Sequence, residues 1–445
     1  MSDTAVLAVP PDTKQDPARR MSEAAAATCD QIVTPAVYAD QAALDAAFKR
    51  LRTEDPLAWC EPEAFRPFWA ATKHADIMEI SRQNQLFTNG QREMLSYHEA
   101  EKGVYAKFGQ PHLLKTLVQL DDPLHYKLRH LTQEWFMPQN VKKREDAIKS
   151  IAKQYVDRME DLGGECDFQR DVALYYPLRV IMQILGVPES DEPMMLKLTQ
   201  EIFGAQDEDL MRDKSLAEER DVEKGLASIQ ATLAEFFMYF TNITADRRAN
   251  PKDDVSTVIA NGMVDGEPIG QLEAMSYYII VAAAGHDTTS ASTGGGVLGM
   301  LQNPSELKKM MADPKAISRT AVDEAIRWTT PVKHFMRTAQ DDYELRGKKI
   351  LKGESVLLCY PSGNRDEEVF DDPFTFRADR SPNKLISFGY GGHMCLGMHL
   401  ARLEMQAIYE ELFSRVKSIE LAGEPTFIKA NFVGGPKSIP VRYKF

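Results

Sequence analysis

The ten residues Phe388-Gly389-Tyr390-Gly391-Gly392-His393-Met394-Cys395-Leu396-Gly397 constrain this chain more than any other stretch. Four glycines in ten positions are costly inside a helix or a strand, so the segment reads as a loop whose backbone approaches something closely. A helix is expected to start directly after Cys395, through Met398-His399-Leu400-Ala401-Arg402. A thiol at such a junction faces free backbone N–H groups and the positive end of a helix dipole, and both favour a thiolate. Cys395 has no CxxC partner and no nearby histidine pair, so a zinc site cannot be built there. A haem iron needs only one axial ligand from the protein. A lone cysteine is more often a buried structural thiol. The Phe, Gly and His positions around this one favour the ligand.

The five cysteines, Cys29, Cys60, Cys166, Cys359 and Cys395, are too few and too scattered for a disulfide framework, which points to a reducing compartment. Of the 445 residues 43% are apolar and 27% charged, as in soluble globular proteins. A net charge of −13 argues against nucleic acid as a partner. The most apolar stretch, residues 275–285, falls short of the roughly 20 residues a membrane span requires. The N-terminal residues lack the basic start and apolar run of a signal peptide. The expectation is a cytoplasmic protein with no membrane partner.

Residues 1–30 read as a mobile leader and residues 31–445 as a single domain, without repeats or linkers. Helical periodicity is expected over residues 142–162, stopped by Gly163-Gly164, and over residues 217–248 and 271–302. Short strands are expected in pairs around glycine turns, over residues 342–350 with 355–360 and around Phe432-Val433-Gly434-Gly435-Pro436. The fold class is mainly α with small β-sheets.

Three further motifs carry chemistry. In Ala284-Gly285-His286-Asp287-Thr288-Thr289 an apolar helix offers an acid and two hydroxyls, which cost stability unless used, and Gly285 weakens the local ladder. Glu324-Ala325-Ile326-Arg327 puts a carboxylate and a guanidinium on one helical face, by itself a weak signal. His125 and Arg129 lie four apart on a helix that Pro123 helps to start.

The cysteine loop resembles the haem-ligand loop of the cytochrome P450 family, and the resemblance runs from about residue 35 to the end, with the other motifs in matching order. It implies the triangular helical haem domain of that family, with haem b bound through Cys395 as metal ligand. By resemblance Thr288 holds activated oxygen and an ordered water, and Asp287 gates proton delivery. Glu324, Arg327 and Arg380 fix the haem pocket. His125, Arg129, Arg337 and His393 match partners of the two haem propionates. Ala284, Val332, Phe335 and Phe432, together with residues 94–117, match substrate-lining positions, and their apolar character implies a small hydrophobic substrate.

The implied reaction inserts one atom of O2 into a C–H bond. Two electrons must come from outside, since the chain has neither a nucleotide fingerprint, which is a GxGxxG set between a strand and a helix, nor a cysteine cluster for iron–sulfur. A ferredoxin with a ferredoxin reductase is expected, docking on a basic patch of Lys127, Lys142, Lys143 and Arg144. Tyr175-Tyr176-Pro177-Leu178, residues 191–200 and residues 431–437 are similar to the bacterial branch that hydroxylates α-terpineol, which points to a monoterpenoid or an alkyl-aromatic such as p-cymene. A haem-thiolate peroxygenase, or a non-catalytic haem sensor or carrier, is the alternative. The Asp287-Thr288 pair speaks against both.

Overall fold

The computed structural model describes residues 21–217 and 221–445. The helices that frame the site are α1 (Glu23–Val33), α2 (Gln41–Glu54), α3 (Leu124–Gln133), α4 (Glu145–Asp161), α5 (Tyr175–Leu185), α6 (Glu192–Phe203), α7 (Val222–Ala249), α8 (Gln271–Gln302), α9 (Pro314–Thr329) and α10 (Met398–Arg415). The strands used below are β1 (Leu57–Cys60), β2 (Phe68–Ala71), β3 (Phe87–Thr88), β4 (Glu165–Asp167), β5 (His334–Ala339), β6 (Ser355–Cys359), β7 (Ser418–Leu421) and β8 (Pro440–Lys444). The mainly helical class with small sheets is what the sequence led to expect.

Helix α4 buries Ile148, Ile151, Ala152, Tyr155, Val156 and Met159 along one stripe. It ends where Gly163 and Gly164 take φ of 82° and 110°. It starts at Glu145 rather than at residue 142, because the short helix Pro138–Lys142 precedes it. Helix α7 begins at Val222, capped by Asp221, whose side chain accepts from Lys224 N. The start expected at residue 217 is corrected: Ala217 closes a 3₁₀ turn over Lys214–Ala217, and residues 218–220 lie outside the described residues.

The leader expected over residues 1–30 is also corrected. Residues 1–20 lie outside the described residues, but α1 begins at Glu23. Ser22 accepts the Ala25 N–H at 3.1 Å as N-cap, and Ala25, Cys29 and Ile32 form a buried stripe packed on α2.

The largest sheet has the order β1-β2-β6-β5-β3. Strand β6 runs parallel to β2 and antiparallel to β5, with Leu357 opposite Ala70 and Met336. Phe68, Ala70, Leu357 and Cys359 pack against α1 and α2, while Trp59, Trp69, Val356 and Leu358 fill the other face. The pairing expected between residues 342–350 and 355–360 does not form. Tyr343–Leu345 and Lys348–Ile350 are a hairpin by themselves, and β6 inserts into the sheet instead. Near the C-terminus, β8 pairs with β7 and β4, and Pro436–Ser438 pairs with Thr426–Phe427.

Helix α8 crosses the middle of the helical core, apolar almost all round and largely buried. It packs on α5, α6 and α9. No helix among the described residues is long and apolar enough to cross a membrane.

Candidate active site

The cysteine loop is shaped by backbone geometry. Gly389 and Gly391 hold φ of 70° and 73°, and a Cβ on Gly391 would collide with the Ser81 carbonyl. Cys395 N–H donates to Phe388 O at 2.8 Å, closing the loop. Helix α10 begins at Met398 with Gly397 as N-cap, two residues later than expected. The Cys395 side chain opens onto a cavity. Burial pushes its thiol up, while the Gly397 N–H and the guanidinium groups of Arg129 and Arg402 pull it down. A coordinated metal would complete the deprotonation.

Behind the loop, the fully buried Glu324 accepts from Arg327 at 2.7 and 2.8 Å, from Arg380 at 3.0 Å and from Arg377 N at 2.9 Å. Asn364, which sequence reasoning missed, ties this cluster to the loop. Its amide donates to Thr330 Oγ1 and Ser387 Oγ and its oxygen accepts Ile386 N–H, all within 2.8–2.9 Å. Nothing in its own residue type announced that role.

His125, Arg129, Arg337 and His393 come together at the cavity. The His125 and His393 rings stack at 4.0 Å, and Arg129 Nη2 donates to Met394 O at 2.7 Å. Arg337 is 3% exposed, and among the described residues its recorded hydrogen bond goes to Met336 O, with no carboxylate in salt-bridge range. His125 Nδ1 lies 3.4 Å from Asp122, but its buried Nε2 has no partner. Burial, then Arg337, His125 and Arg129, push His393 down to about 2. Such a concentration of donors, with His125 and Arg337 buried, calls for an anion. Two carboxylates on one rim, with a thiolate on the cavity floor, answer that demand, so these residues fit haem b.

Helix α8 supplies the opposite wall. Ala284, Gly285, Thr288 and Thr289 line the cavity. The helix is continuous from Gln271 to Gln302, and Thr288 Oγ1 donates to Ala284 O at 2.9 Å and Thr289 Oγ1 to Gly285 O at 3.3 Å, sharing those carbonyls with the backbone. Gly285 is explained by contact: a Cβ there would lie 2.7 Å from Ile181 Cγ1 of α5. The helix nevertheless continues through Gly285. Asp287 lines a second cavity on another face of α8. Burial raises its carboxyl, the neighbouring His286 opposes this, and Oδ2 has no partner.

Val332 and Phe335 line the first cavity together with Leu117, Val118, Ile280 and Val281. Phe432 does not. It backs Phe335 at 5.5 Å between ring centroids, held there because Lys333 N–H donates to Phe432 O and Val332 bridges Val433. Glu404 of α10 was missed as well. It lines the cavity, is 1% exposed, has an unpartnered Oε2, and burial pushes its carboxyl well above the usual range. The available signal was an acid inside the apolar stripe Leu400, Glu404, Ile408.

A lone cysteine beneath a cavity rimmed by unneutralised cations and faced by a threonine-bearing helix defines a haem-thiolate protein. The chain belongs to the cytochrome P450 family, whose sequence model matches residues 91–425. It is 46% identical over 414 residues to cytochrome P450-terp of a Pseudomonas species, covering 93% of this chain and 96% of that one. Linalool 8-monooxygenase of Pseudomonas putida is 30% identical, with 92% and 97% covered. The crystal structure of a cytochrome P450 from Novosphingobium aromaticivorans superposes with a TM-score of 0.86 at 43% identity, covering 94% of this chain and 98% of the other. The protein is therefore an oxidoreductase of the P450 monooxygenase type, and the family binds haem b through a cysteine thiolate.

Proposed function

We propose that this enzyme hydroxylates a small neutral terpenoid or alkyl-aromatic, of the α-terpineol or p-cymene kind, in the cytoplasm as one haem-carrying domain, with two electrons from a ferredoxin and its reductase. The overall balance is RH + O2 + 2 e⁻ + 2 H⁺ → ROH + H2O. Bound haem supplies the oxygen activation. Cys395 would ligate the iron, and His125, Arg129, Arg337 and His393 would hold the propionates. Thr288 keeps a hydroxyl at the cavity wall, its proton resting on Ala284 O at 2.9 Å, and Asp287 brings protons from outside. Ala284, Val332 and Phe335 orient the substrate, with Phe432 fixing Phe335 from behind.

The observation that carries this reading is the convergence of Cys395, the four donors and Thr288 on a single cavity whose remaining wall is mostly apolar. The terpenoid class is further supported by the relative named for linalool 8-monooxygenation and by the likeness to cytochrome P450-terp. A screen of α-terpineol, p-cymene, linalool, camphor and long fatty acids by the low-to-high-spin shift tests it. Terpenoids should shift the spectrum and fatty acids should not. A shift with fatty acids alone overturns the substrate class, and a ferrous–CO band typical of a histidine ligand overturns Cys395.

A further inference from the structure

Helix α8 and the turn around Phe432 separate two cavities that share no lining residue. The first belongs to the site described above. The second lies beside Phe203, the last residue of α6, and is lined there by Ala291 of α8 and by Val433. The wall between them is thin. Ser292 lines the first cavity and its neighbour Ala291 the second, and Val332 of the first pairs across an isolated bridge with Val433 of the second. Between Phe335, which lines the first cavity, and Phe203, which lines the second, stands Phe432, which lines neither. Its ring centroid lies 5.5 Å from that of Phe335 and 6.2 Å from that of Phe203, with interplanar angles of 76° and 51°. His334 closes on the same ring at 5.4 Å. Edge-on and tilted contacts of this kind add attraction beyond the area they bury.

The turn that carries Phe432 is clamped from the segment that follows α6. Asp207 in that segment is 0% exposed. One of its carboxylate oxygens accepts from Lys437 Nζ at 2.7 Å and from the Asp209 N–H at 3.0 Å, and the other from the Lys429 N–H at 3.0 Å. Gln206 Oε1 accepts the Asn431 N–H at 2.9 Å. The turn is thus held on both sides of Phe432 by two neighbouring side chains. Burial raises the Asp207 carboxyl, but Lys437 and the N–H groups of Lys429 and Asp209 outweigh it and hold it below the usual range. A buried carboxylate met by that many donors is costly to break, so the turn is fixed in place.

We propose that Phe203, Phe432 and Asp207 are positioning residues of an aromatic partition that sets the upper size of the ligand the first cavity accepts. Phe335 cannot withdraw while Phe432 stands behind it. Phe432 in turn is held by Phe203 and by the Asp207 clamp, so the free space on the far side stays closed to the substrate. Shortening Phe432 or Phe203 gives Phe335 room to move back toward the second cavity. The inference rests on the reading of the first cavity as the substrate site and deepens it, by naming what keeps the substrate small, whatever apolar class that substrate belongs to.

The test uses the haem-loaded enzyme and two iron-coordinating probes, 4-phenylimidazole and the longer 4-(4-biphenylyl)imidazole, whose dissociation constants are read from the Soret shift. The variants are Phe432→Ala, Phe203→Ala, Phe203→Tyr and Asp207→Asn, with the thiolate CO band as a check on folding. Wild type should bind the short probe more tightly than the long one. Phe432→Ala and Phe203→Ala should lower the ratio of the long-probe to the short-probe constant by about tenfold, the lower end of what one misfitting group costs in an apolar pocket. Phe203→Tyr keeps the ring and should match wild type. Asp207→Asn loosens the turn and should lower the ratio less; an unchanged ratio there would remove Asp207 from the partition. Phe203 does not line the first cavity, so a general structural defect would weaken both probes alike and leave the ratio where it was. A ratio near one in wild type, or an unchanged ratio in both alanine variants, overturns the partition. The terpenoid spin shift is read on the same wild-type sample: its absence beside a lowered ratio in the variants overturns the terpenoid class and upholds the partition. Should Phe432→Ala fail to hold haem, Phe203→Ala against Phe203→Tyr decides alone.

Discussion

His334 accepts the Leu95 N–H through Nε2 at 2.9 Å and donates Nδ1–H to Asn431 O at 2.8 Å. Both nitrogens are used by the neutral ring, so a second proton must break the bond from Leu95. Burial pushes this histidine down to about 3, with Arg92 adding to the effect and the Asn431 carbonyl opposing it. Its unfolded value is about 6.5, so between these limits the unfolded chain binds a proton that the folded chain refuses. Stability from this site is complete above pH 6.5 and is lost as pH falls toward 3, at about 1.4 kcal/mol per pH unit. Urea unfolding of wild type and His334→Gln should therefore run parallel above pH 6.5, with wild type losing stability relative to the variant as pH falls from 6.5 toward 3. Parallel profiles across that window would rule the idea out. The sequence offered only a histidine beside a turn; both bonding partners come from distant segments and could not be read locally. Cys395, by contrast, was legible because its meaning lies in neighbouring residues.

Among the elements, α8 shows how small residues set the interior. Neighbouring side chains already crowd the run Gly294-Gly295-Gly296: Thr329 Oγ1 stands against position 295, and Tyr409 OH and Ala325 Cβ against position 296. Gly296→Ala must push α9 or α10 away from α8, and overpacking of this kind costs about 1–3 kcal/mol. Thermal unfolding should show a lower Tm with the CO spectrum retained; an unchanged or higher Tm would mean that the helices yield freely. Long helices such as α4 and α8 were readable from periodicity and stops. The strands of the largest sheet were not. Residues 57–60 and 68–71 are buried on both faces, so they lack the two-residue alternation that identifies a half-exposed strand, and β6, the second neighbour of residues 68–71, lies far along the chain. Asp287 was legible as an acid in an apolar helix, but which side of α8 it serves depends on what packs there.

At the scale of the molecule, the net charge of −13 conceals local structure. In the expected basic patch, Lys127 pairs with Asp265 at 2.6 Å, and Arg144 pairs with Asp253 at 2.9 Å while stacking on Trp135. Lys142 and Lys143 have no salt bridge among those recorded for the described residues, and Lys143 donates to Asn140. If a ferredoxin docks there, these two carry the steering. The double variant Lys142→Glu/Lys143→Glu should raise the KM for ferredoxin about tenfold at low salt, the gap closing as salt screens it, with the terpenoid spin shift unchanged. A KM insensitive to the reversal would move the docking face elsewhere.

The parallel pairing of β2 with β6 sets an order of events during synthesis. Strand β2 is complete at Ala71, yet its neighbour begins only at Ser355, and Cys395 comes later still. At ribosomal elongation rates the wait is on the order of 15–60 s. Through that interval one edge of β2 has no partner and the pocket has no floor. Cofactor capture is thus deferred to the last moments of translation or beyond, and the nascent chain depends on chaperones to keep that edge from pairing with a stranger.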